Sequence, residues 1–207
     1  MLQKLTPLIF LYLKETCYEF IKVNKKIFKK QPVKTGNHLV DFYNRIDEDS
    51  RLLSKHGRIE FLTTTKYIEK YLKDGMKIIE IGAATGRYSH YFAQKGFEVD
   101  AVDLIEHNIE IFKSKTQPNE KISIRQGNAI NLSDCPDESY DITLLLGPMY
   151  HLYTVEDQKK ALSEAMRITK SGGYVFVAYC MVDPSVLTGI FKNNKVQQSI
   201  EDGLIDT

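Results

Sequence analysis

The sequence predicts an α/β fold, with a mostly parallel β-sheet that carries helices on both faces. From Met76 onward, short apolar runs alternate with helical stretches, which is the pattern of βαβ units. Glycines follow the first apolar run directly, and an acidic residue ends the second. Both features lie at strand ends, where open parallel sheets bind ligands. The 207 residues, 43% of them hydrophobic, suffice for one such domain.

The chain divides into three segments with different sequence patterns. Residues 1–36 are predicted as a basic amphipathic helix, because apolar side chains recur near helical spacing over 8–30. Residues 37–75 are predicted as a helical lid or substrate segment, with helices over 38–46 and 58–72. Residues 76–207 are predicted as the sheet domain, with strands over 77–81, 98–102, 122–125, 142–146 and 174–179 and helices over 88–94, 107–113 and 155–168.

Charge is distributed unevenly along the chain. The 28 basic and 27 acidic side chains give a net charge of +1. A chain with this balance has no overall electrostatic attraction for a nucleic acid or a membrane surface. Residues 1–34 hold eight lysines against Glu15 and Glu19, so this segment carries +6 and the rest of the chain 1 − 6 = −5. The lysines indicate either a solvated helix face or a contact with an anionic partner.

The cysteines and the longest apolar run favour a cytoplasmic protein. Cys17, Cys135 and Cys180 are far apart and match no metal-ligand spacing, so we expect no metal site and a reducing compartment. The apolar run 7–13 is shorter than the roughly 20 residues of a membrane span. No small-residue cleavage site follows it, although a targeting or membrane-surface role for the N-terminus is an alternative.

The glycine-rich turn does not fit the fingerprint of nicotinamide-binding sheets. Counted from Gly82, the pattern GxGxxG requires glycine at 84 and a small residue at 87, where the chain has Ala84 and Arg87. Glycines in such a turn let backbone N–H groups face a ligand at close range. The turn therefore indicates a ligand site that is not of the nicotinamide type.

From Glu80 to Gly86 the chain reads acidic-x-Gly-x-Gly-x-Gly, with Ala84 in the place of the middle glycine. Here it resembles the class I S-adenosylmethionine-dependent methyltransferases. The next strand ends in Asp103, 21 residues after Gly82, and residues 126–129, 136–153 and 172–179 resemble later motifs of the family in order. The resemblance covers about residues 58–180. It implies a Rossmann-like fold, S-adenosylmethionine as cofactor and S-adenosylhomocysteine as product.

The resemblance also implies roles for individual residues. It assigns Asp103 to the ribose hydroxyls, Leu104 to packing against the adenine, and Asn128 to the adenine amino group. The full set of implied cofactor residues is Glu80, Gly82, Ala83, Ala84, Gly86, Asp103, Leu104, Gly127, Asn128, Ala129, Leu146 and Gly147.

Each of these positions also has a purely structural interpretation. Gly82 and Gly86 could serve strand-to-helix packing, Asp103 could cap a helix, and Asn128 could form a turn. The methyl group of Ala84, which replaces the middle glycine of the family pattern, leaves less room for a cofactor to approach the turn.

The loop 147–151 follows the fourth strand of the resemblance, where the family places contacts to the methyl acceptor. His151 in this loop is a candidate general base, with a structural histidine as the alternative. Tyr150 is a candidate substrate residue. The loop lacks the Asn/Asp-Pro-Pro-Tyr motif of amine-directed nucleic-acid and protein enzymes, and it has no Pro-Cys nucleophile. A small-molecule acceptor is therefore favoured and a nucleic acid disfavoured.

The lid segment supplies four further candidates for the substrate pocket. Tyr43, Arg45, His56 and Arg58 precede the first strand of the resemblance, where related small-molecule enzymes carry a substrate lid. An acidic substrate group would suit the arginines. The alternative is that all four are ordinary surface or helix-packing residues.

The sequence thus predicts an S-adenosylmethionine-dependent methyltransferase that acts on a small molecule. Two alternatives stay open at this point: a non-catalytic S-adenosylmethionine-binding or interaction protein, and an RNA methyltransferase that uses the basic N-terminal helix. The family fold continues after its fifth strand with a helix and an antiparallel hairpin, for which the residues after Cys180 are too few. We therefore expect a fragment or a shortened variant, with this hairpin absent and a homo-oligomer possible through the exposed fifth-strand edge.

Overall fold

A computed structural model describes residues 8–12, 37–43, 45, 48–51, 53–179 and 196–201. The strands are β1 (Leu8–Tyr12), β2 (Lys77–Ile81), β3 (Glu98–Asp103), β4 (Ile122–Gln126), β5 (Tyr140–Leu145) and β6 (Thr169–Tyr179). The helices are α1 (Asn37–Tyr43), α2 (Glu48–Arg51), α3 (Lys55–Glu69), α4 (Arg87–Gln94), α5 (Glu106–Lys115), a 3₁₀ helix (Pro148–Tyr150), α6 (Val155–Ile168) and α7 (Val196–Glu201). Residues 13–30 of the helix predicted over 8–30 lie outside the described residues, as do Cys17 and Cys180.

The six strands form one sheet in the order β1-β6-β5-β2-β3-β4, and every pair of neighbours is parallel. This confirms the predicted Rossmann-like parallel sheet. Within the described ranges the sheet contains no antiparallel strand, and the expected homo-oligomer is not tested by this chain alone.

The N-terminal strand β1 contradicts part of the sequence prediction. Residues 8–12 were expected to begin an amphipathic helix, but they pair in parallel with β6 from Val175 to Tyr179. Their sequence LIFLY has no polar residue, so it suits a strand in a covered parallel sheet at least as well as one face of a helix. β1 also covers the β6 edge along these residues, which removes the exposed edge as a reason to expect association there.

The remaining predicted elements are confirmed, with shifted ends. α6 has the predicted bounds, and β6 begins at Thr169 instead of 174. α1 ends at Tyr43, before the predicted 46. α3 begins at Lys55 instead of 58, because the Ser54 hydroxyl caps it by accepting a hydrogen bond from the Gly57 N–H at 3.1 Å.

Two apolar layers hold helices against the sheet. On one face, Ile78, Ile142 and Phe176 pack with Phe92 of α4 and with α3. On the other, strand residues including Ile79 and Val175 pack with Ala161 and Ala165 of α6. The two-residue period of β2 thus sends alternate side chains into opposite layers. Helices cover both faces as the sequence predicts, and the strand ends stay available for a site.

Candidate active site

The candidate site lies where β2 and β5 run side by side at the centre of the sheet. The chain continues from β2 towards β3 and β4 on one side, while β5 and β6 lie on the other. Ligands of open α/β sheets bind in the crevice at this change of direction, beyond the carboxyl ends of the strands. The glycine turn 82–86 follows β2 there, and the loop 146–151 follows β5.

The two loops contact each other directly at Gly82. A Cβ at Gly82 would lie 2.6 Å from Cδ of Pro148, and the Gly82 φ of +73° also favours glycine. Gly147 is close as well, because a Cβ there would lie 3.2 Å from the Gly82 carbonyl oxygen. A glycine is therefore needed at 82 for packing as well as for any approach of a ligand.

Positive φ angles recur at alternate positions of the turn. They are +73° at Gly82, +47° at Ala84 and +86° at Gly86. At Gly86 a Cβ would also clash with the ring of Phe112. Ala84 is the residue that departs from the glycine pattern, and it holds a left-handed conformation that costs an L-residue about 1–2 kcal/mol.

Asp103 connects this turn to the start of α5. Its Oδ2 accepts a hydrogen bond from the Ala84 N–H at 2.7 Å, and its Oδ1 accepts from the Ile105 N–H at 2.9 Å and from Asn108 at 3.3 Å. Burial raises the pKa of this carboxyl, while these hydrogen bonds oppose the shift. The structural role considered for Asp103 is thus present. Backbone and side-chain donors thus already surround this carboxylate, and its position at the end of β3 is the feature it shares with the role that the resemblance implies.

Around Asp103 the surface suits a nucleoside. Leu104 is 40% exposed although it is apolar, and Asn128 is exposed while its Oδ1 accepts a hydrogen bond from the Ile130 N–H at 3.2 Å. Gly127 fits closely against Val102, with no room for a Cβ. Three further residues of the implied set are buried beside the turn and the two loops: Ala83, Ala129 and Leu146.

Glu80 lies beneath the turn, on the face of β2 that α4 covers. Its side chain is buried, and the Ser89 hydroxyl of α4 donates a hydrogen bond to Oε2 at 2.5 Å. Burial raises its pKa to about 8, although the hydrogen bonds from Ser89 oppose the shift. The side chain is therefore mainly a neutral acid at pH 7.

The lid reaches the site through Tyr43, the last residue of α1. The Tyr43 hydroxyl lies 2.8 Å from Nε2 of His151, and the two rings meet edge to face with centroids 5.6 Å apart. Burial lowers the pKa of His151 to about 4 and raises that of Tyr43. At neutral pH the imidazole is therefore uncharged and the Tyr43 hydroxyl keeps its proton, and the tautomer of His151 sets which of the two groups donates.

Of the other predicted substrate residues, Tyr150 belongs to the loop after β5, whereas both arginines are exposed. Tyr150 lies in the 3₁₀ helix directly before His151, with its hydroxyl buried. Arg45 and Arg58 are exposed, so nothing in their placement favours the anionic substrate group considered above. His56 belongs to α3, and its side chain is not among those described.

Sequence reasoning missed a cluster of three charged side chains in the lid. Arg51 donates from Nε to Glu48 at 2.6 Å and from a terminal nitrogen to both oxygens of Glu60 at 3.2 Å. The Glu48 and Glu60 side chains are only 12% and 9% exposed. The spacing of Glu48 and Arg51 on one helical turn was a readable signal, whereas the contact with Glu60 depends on how α2 packs against α3.

Comparison with known proteins shows a similarity to methyltransferases. Residues 79–177 match the family described as a methyltransferase domain. This segment contains the glycine turn, Asp103 and the loop after β5. Over this segment the chain is similar to methyltransferase domains.

Individual relatives of this segment match only part of their own length. A demethylmenaquinone methyltransferase of Renibacterium salmoninarum is 33% identical over 105 residues, 50% of this chain and 41% of the relative. An S-adenosyl-L-methionine-dependent Diels-Alderase of Talaromyces variabilis is 30% identical over 106 residues, 49% of this chain and 35% of the relative. The chain thus spans less than half the length of these curated relatives.

A solved structure shares the fold of this chain. A protein from Pyrococcus horikoshii gives a TM-score of 0.61 at 21% identity, over 74% of this chain and 71% of that one. In the described part of this chain, no helix is long and apolar enough to cross a membrane. No group of three or more His, Cys, Asp or Glu side chains could hold a metal ion among the residues described.

The residues of the candidate site fit S-adenosylmethionine. Gly82 and Gly86 keep side chains out of the turn, Asp103 ends the neighbouring strand beside it, and Leu104 offers an exposed apolar face. Ala84 is compatible with this turn, because its N–H donates to Asp103 and its backbone adopts a positive φ despite the methyl group.

Proposed function

We propose that this chain transfers the methyl group of S-adenosylmethionine to a small molecule bound between the lid and the loop after β5. The observation that carries the proposal is the hydrogen bond between Tyr43 of the lid and His151 of that loop. It joins the predicted lid segment to the loop that follows β5, and in our proposal the acceptor binds beneath this contact. Enclosure of this kind excludes water from the reacting groups.

When bound, S-adenosylmethionine would supply an electrophilic methyl carbon for the acceptor atom, and the electron pair of the broken methyl–sulfur bond would stay on sulfur. The chain then has to hold the acceptor in line and receive any proton that the acceptor loses. Asp103 and the glycine turn orient the nucleoside, and the lid holds the acceptor. Positioning of this kind accounts for most of the rate in our proposal.

We propose a supporting role for His151 in proton transfer. An imidazole with a pKa of about 4 is uncharged at neutral pH and can accept a proton, but it is a weak base, because a general base works best with a pKa near the working pH. We expect His151→Gln to lower kcat by about tenfold, below the 10²–10⁴ typical of an optimal base. A loss of more than a thousandfold would make His151 the main base.

Charge favours a small molecule over RNA. The predicted lid segment holds the cluster of Glu48, Arg51 and Glu60, and residues 35–207 carry a net charge of −5. A polyanion would be repelled there. If RNA were the acceptor through the N-terminal lysines, its affinity for the full chain would fall steeply with salt. Salt-insensitive or absent RNA binding supports the small-molecule proposal.

A second candidate function is S-adenosylmethionine binding without methyl transfer. One relative is named as an S-adenosyl-L-methionine-dependent Diels-Alderase, a name that describes ring formation. The two candidates differ in what happens to the cofactor, because only methyl transfer converts it to S-adenosylhomocysteine.

The test takes two steps with the full chain. Calorimetry with S-adenosylhomocysteine should show binding, and its absence at high micromolar concentration would refute both candidates. Incubation with methyl-labelled S-adenosylmethionine and a small-metabolite extract should then give labelled product together with S-adenosylhomocysteine. Cofactor binding without any transfer of label would support the second candidate instead.

A further inference from the structure

The helix α3 exposes a stripe that mixes apolar and basic side chains. Its exposed residues recur at helical spacing and therefore lie on one face of the helix; the apolar and basic ones are Lys55, Arg58, Ile59, Leu62, Lys66 and Tyr67. Ile59 and Leu62 are each 61% exposed and are neighbours on the helix surface. Apolar side chains that stay exposed side by side indicate an interaction surface.

The acidic residues of α3 are bound to the rest of the protein and lie outside this stripe. Both carboxylate oxygens of Glu60 accept hydrogen bonds from Arg51 at 3.2 Å. Glu69 accepts a hydrogen bond from the Tyr91 hydroxyl at 2.7 Å and forms an ion pair with Lys95 at 2.6 Å. Among the described side chains of α3, no exposed one is acidic. The charge on the stripe is therefore positive only.

The inner side of α3 holds the stripe in its outward position. Ile68 is fully buried in the apolar layer on the sheet, and the Phe61 ring packs against Tyr88 of α4 with centroids 5.1 Å apart. The helix cannot rotate to bury its outer face without losing these contacts. Ile59 and Leu62 therefore stay in water unless a partner covers them.

We infer that the stripe of α3 binds an anionic lipid bilayer. Helices that lie in a membrane interface insert aliphatic and aromatic side chains at the acyl-chain boundary and place Lys and Arg among the headgroups. Ile59 and Leu62 supply the first group, and Lys55 and Lys66 supply the second. The basic residues 1–34, which carry +6, would be attracted to the same surface. The whole chain carries only +1, so the attraction depends on these local charges.

Charge and composition disfavour the other partners that such a stripe could bind. A second copy of the chain would bring like charges together, and residues 13–34, with seven lysines and two glutamates, would be repelled in the same way. RNA phosphates would pair with the lysines but would leave Ile59 and Leu62 in water. Interfaces between proteins are depleted in lysine. An anionic bilayer accommodates both the lysines and the aliphatic side chains.

The experiment measures co-sedimentation of the full chain with lipid vesicles. One set of vesicles contains phosphatidylcholine alone, and the other contains equal parts of phosphatidylcholine and phosphatidylglycerol. Ile59→Gln/Leu62→Gln removes apolar surface and Lys66→Gln removes one charge, while glutamine preserves helix propensity. Lys159→Gln/Met166→Gln is the matched control, because it makes both kinds of change at exposed positions of α6, on the opposite face of the sheet.

We expect the wild-type protein to bind the anionic vesicles, less tightly as salt is added, and not to bind phosphatidylcholine alone. Lys66→Gln should weaken binding by about fivefold, as expected for one cation near an anionic surface. Ile59→Gln/Leu62→Gln should weaken it by about tenfold, because less apolar area is buried. The α6 control should bind like the wild type. All of these side chains are exposed, so circular dichroism should show wild-type thermal unfolding; if the double variant is less stable, Leu62→Gln replaces it.

Three results would overturn the inference. The wild-type protein could fail to bind the anionic vesicles at low salt. Ile59→Gln/Leu62→Gln could bind them as tightly as the wild type, which would assign binding to another segment such as residues 1–34. Thirdly, sedimentation velocity could show a dimer that this variant abolishes, which would assign the stripe to a second copy of the chain. None of these measurements depends on methyl transfer, so the proposed function is tested separately.

Discussion

The Tyr43 hydroxyl and Nε2 of His151 lie 2.8 Å apart, although the two residues are separated by 108 positions in the chain. This bond joins the end of α1 to the loop after β5, and both partners are largely removed from water. Burial lowers the pKa of His151 and raises that of Tyr43, so the pair stays uncharged over the neutral range. A neutral hydrogen bond thereby joins the predicted lid segment to the loop that follows β5.

We predict that Tyr43→Ala raises the pKa of His151 from about 4 towards its ordinary value of 6.5. Removing the ring opens the imidazole to water, and hydration stabilises its charged form. An NMR titration of the His151 ring measures this shift. Tyr153→Ala, which removes an exposed ring from the same loop, should leave the titration unchanged. An unaltered His151 pKa in Tyr43→Ala would show that the lid does not bury the imidazole.

The same shift predicts how stability depends on pH. The pKa of His151 is lower in the folded than in the unfolded chain, so the unfolded chain binds more protons between about pH 6.5 and pH 4. The wild-type protein should therefore lose stability as the pH falls through this window. His151→Gln should lose less, and the difference between the two unfolding free energies at each pH isolates this residue. If the unfolding free energies of the wild type and of His151→Gln fell equally with pH, the prediction would be contradicted.

We predict that Ala84→Gly stabilises the ligand-free protein by about 0.5–1 kcal/mol. Glycine relieves the strain of the left-handed conformation at φ +47°. This gain in free energy exceeds the cost of the extra conformational entropy that glycine gives the unfolded chain. Denaturant unfolding measures the change. Ala83→Gly is the matched control, because its neighbour Ala83 has no positive φ, and it should destabilise by about 0.5–1 kcal/mol. The same sign for both variants would rule out strain at Ala84.

The contrast between these elements shows what the sequence could predict. β2 and α6 were predicted with their observed ends, because each carries its pattern within a few neighbouring residues. The pairing of β1 with β6 joins residues far apart in sequence, and an apolar run such as LIFLY has no alternation to distinguish strand from helix. The Arg51 contact with Glu60 likewise depends on how two helices pack. The residues of the candidate site that follow strand ends were thus predictable from the sequence. The contacts that the segment 37–75 makes with them were not.

We predict that Glu80→Gln stabilises the ligand-free protein more at pH 8 than at pH 5. The folded pKa of Glu80, about 8, lies above the ordinary value of 4.5, so the unfolded chain releases this proton first as the pH rises. The wild-type protein therefore loses stability between about pH 4.5 and pH 8, and glutamine has no proton to release. Unfolding free energies of both proteins across this range give the comparison. A gap between them that stays constant with pH would mean that Glu80 titrates normally.

The last prediction concerns the stability of the ligand-free protein at Tyr150. Its buried hydroxyl lacks a hydrogen-bond partner in the described ranges, so Tyr150→Phe should raise the unfolding free energy by about 1 kcal/mol. Tyr140→Phe is the matched control, because the Tyr140 hydroxyl donates to Asp100 at 2.9 Å and its loss should destabilise by about 1–2 kcal/mol. Opposite signs for the two variants would show that Tyr150 is kept at a cost to stability, as expected of a group that waits for a ligand. Equal destabilisation would mean that the Tyr150 hydroxyl is already satisfied in the ligand-free protein, for example by water.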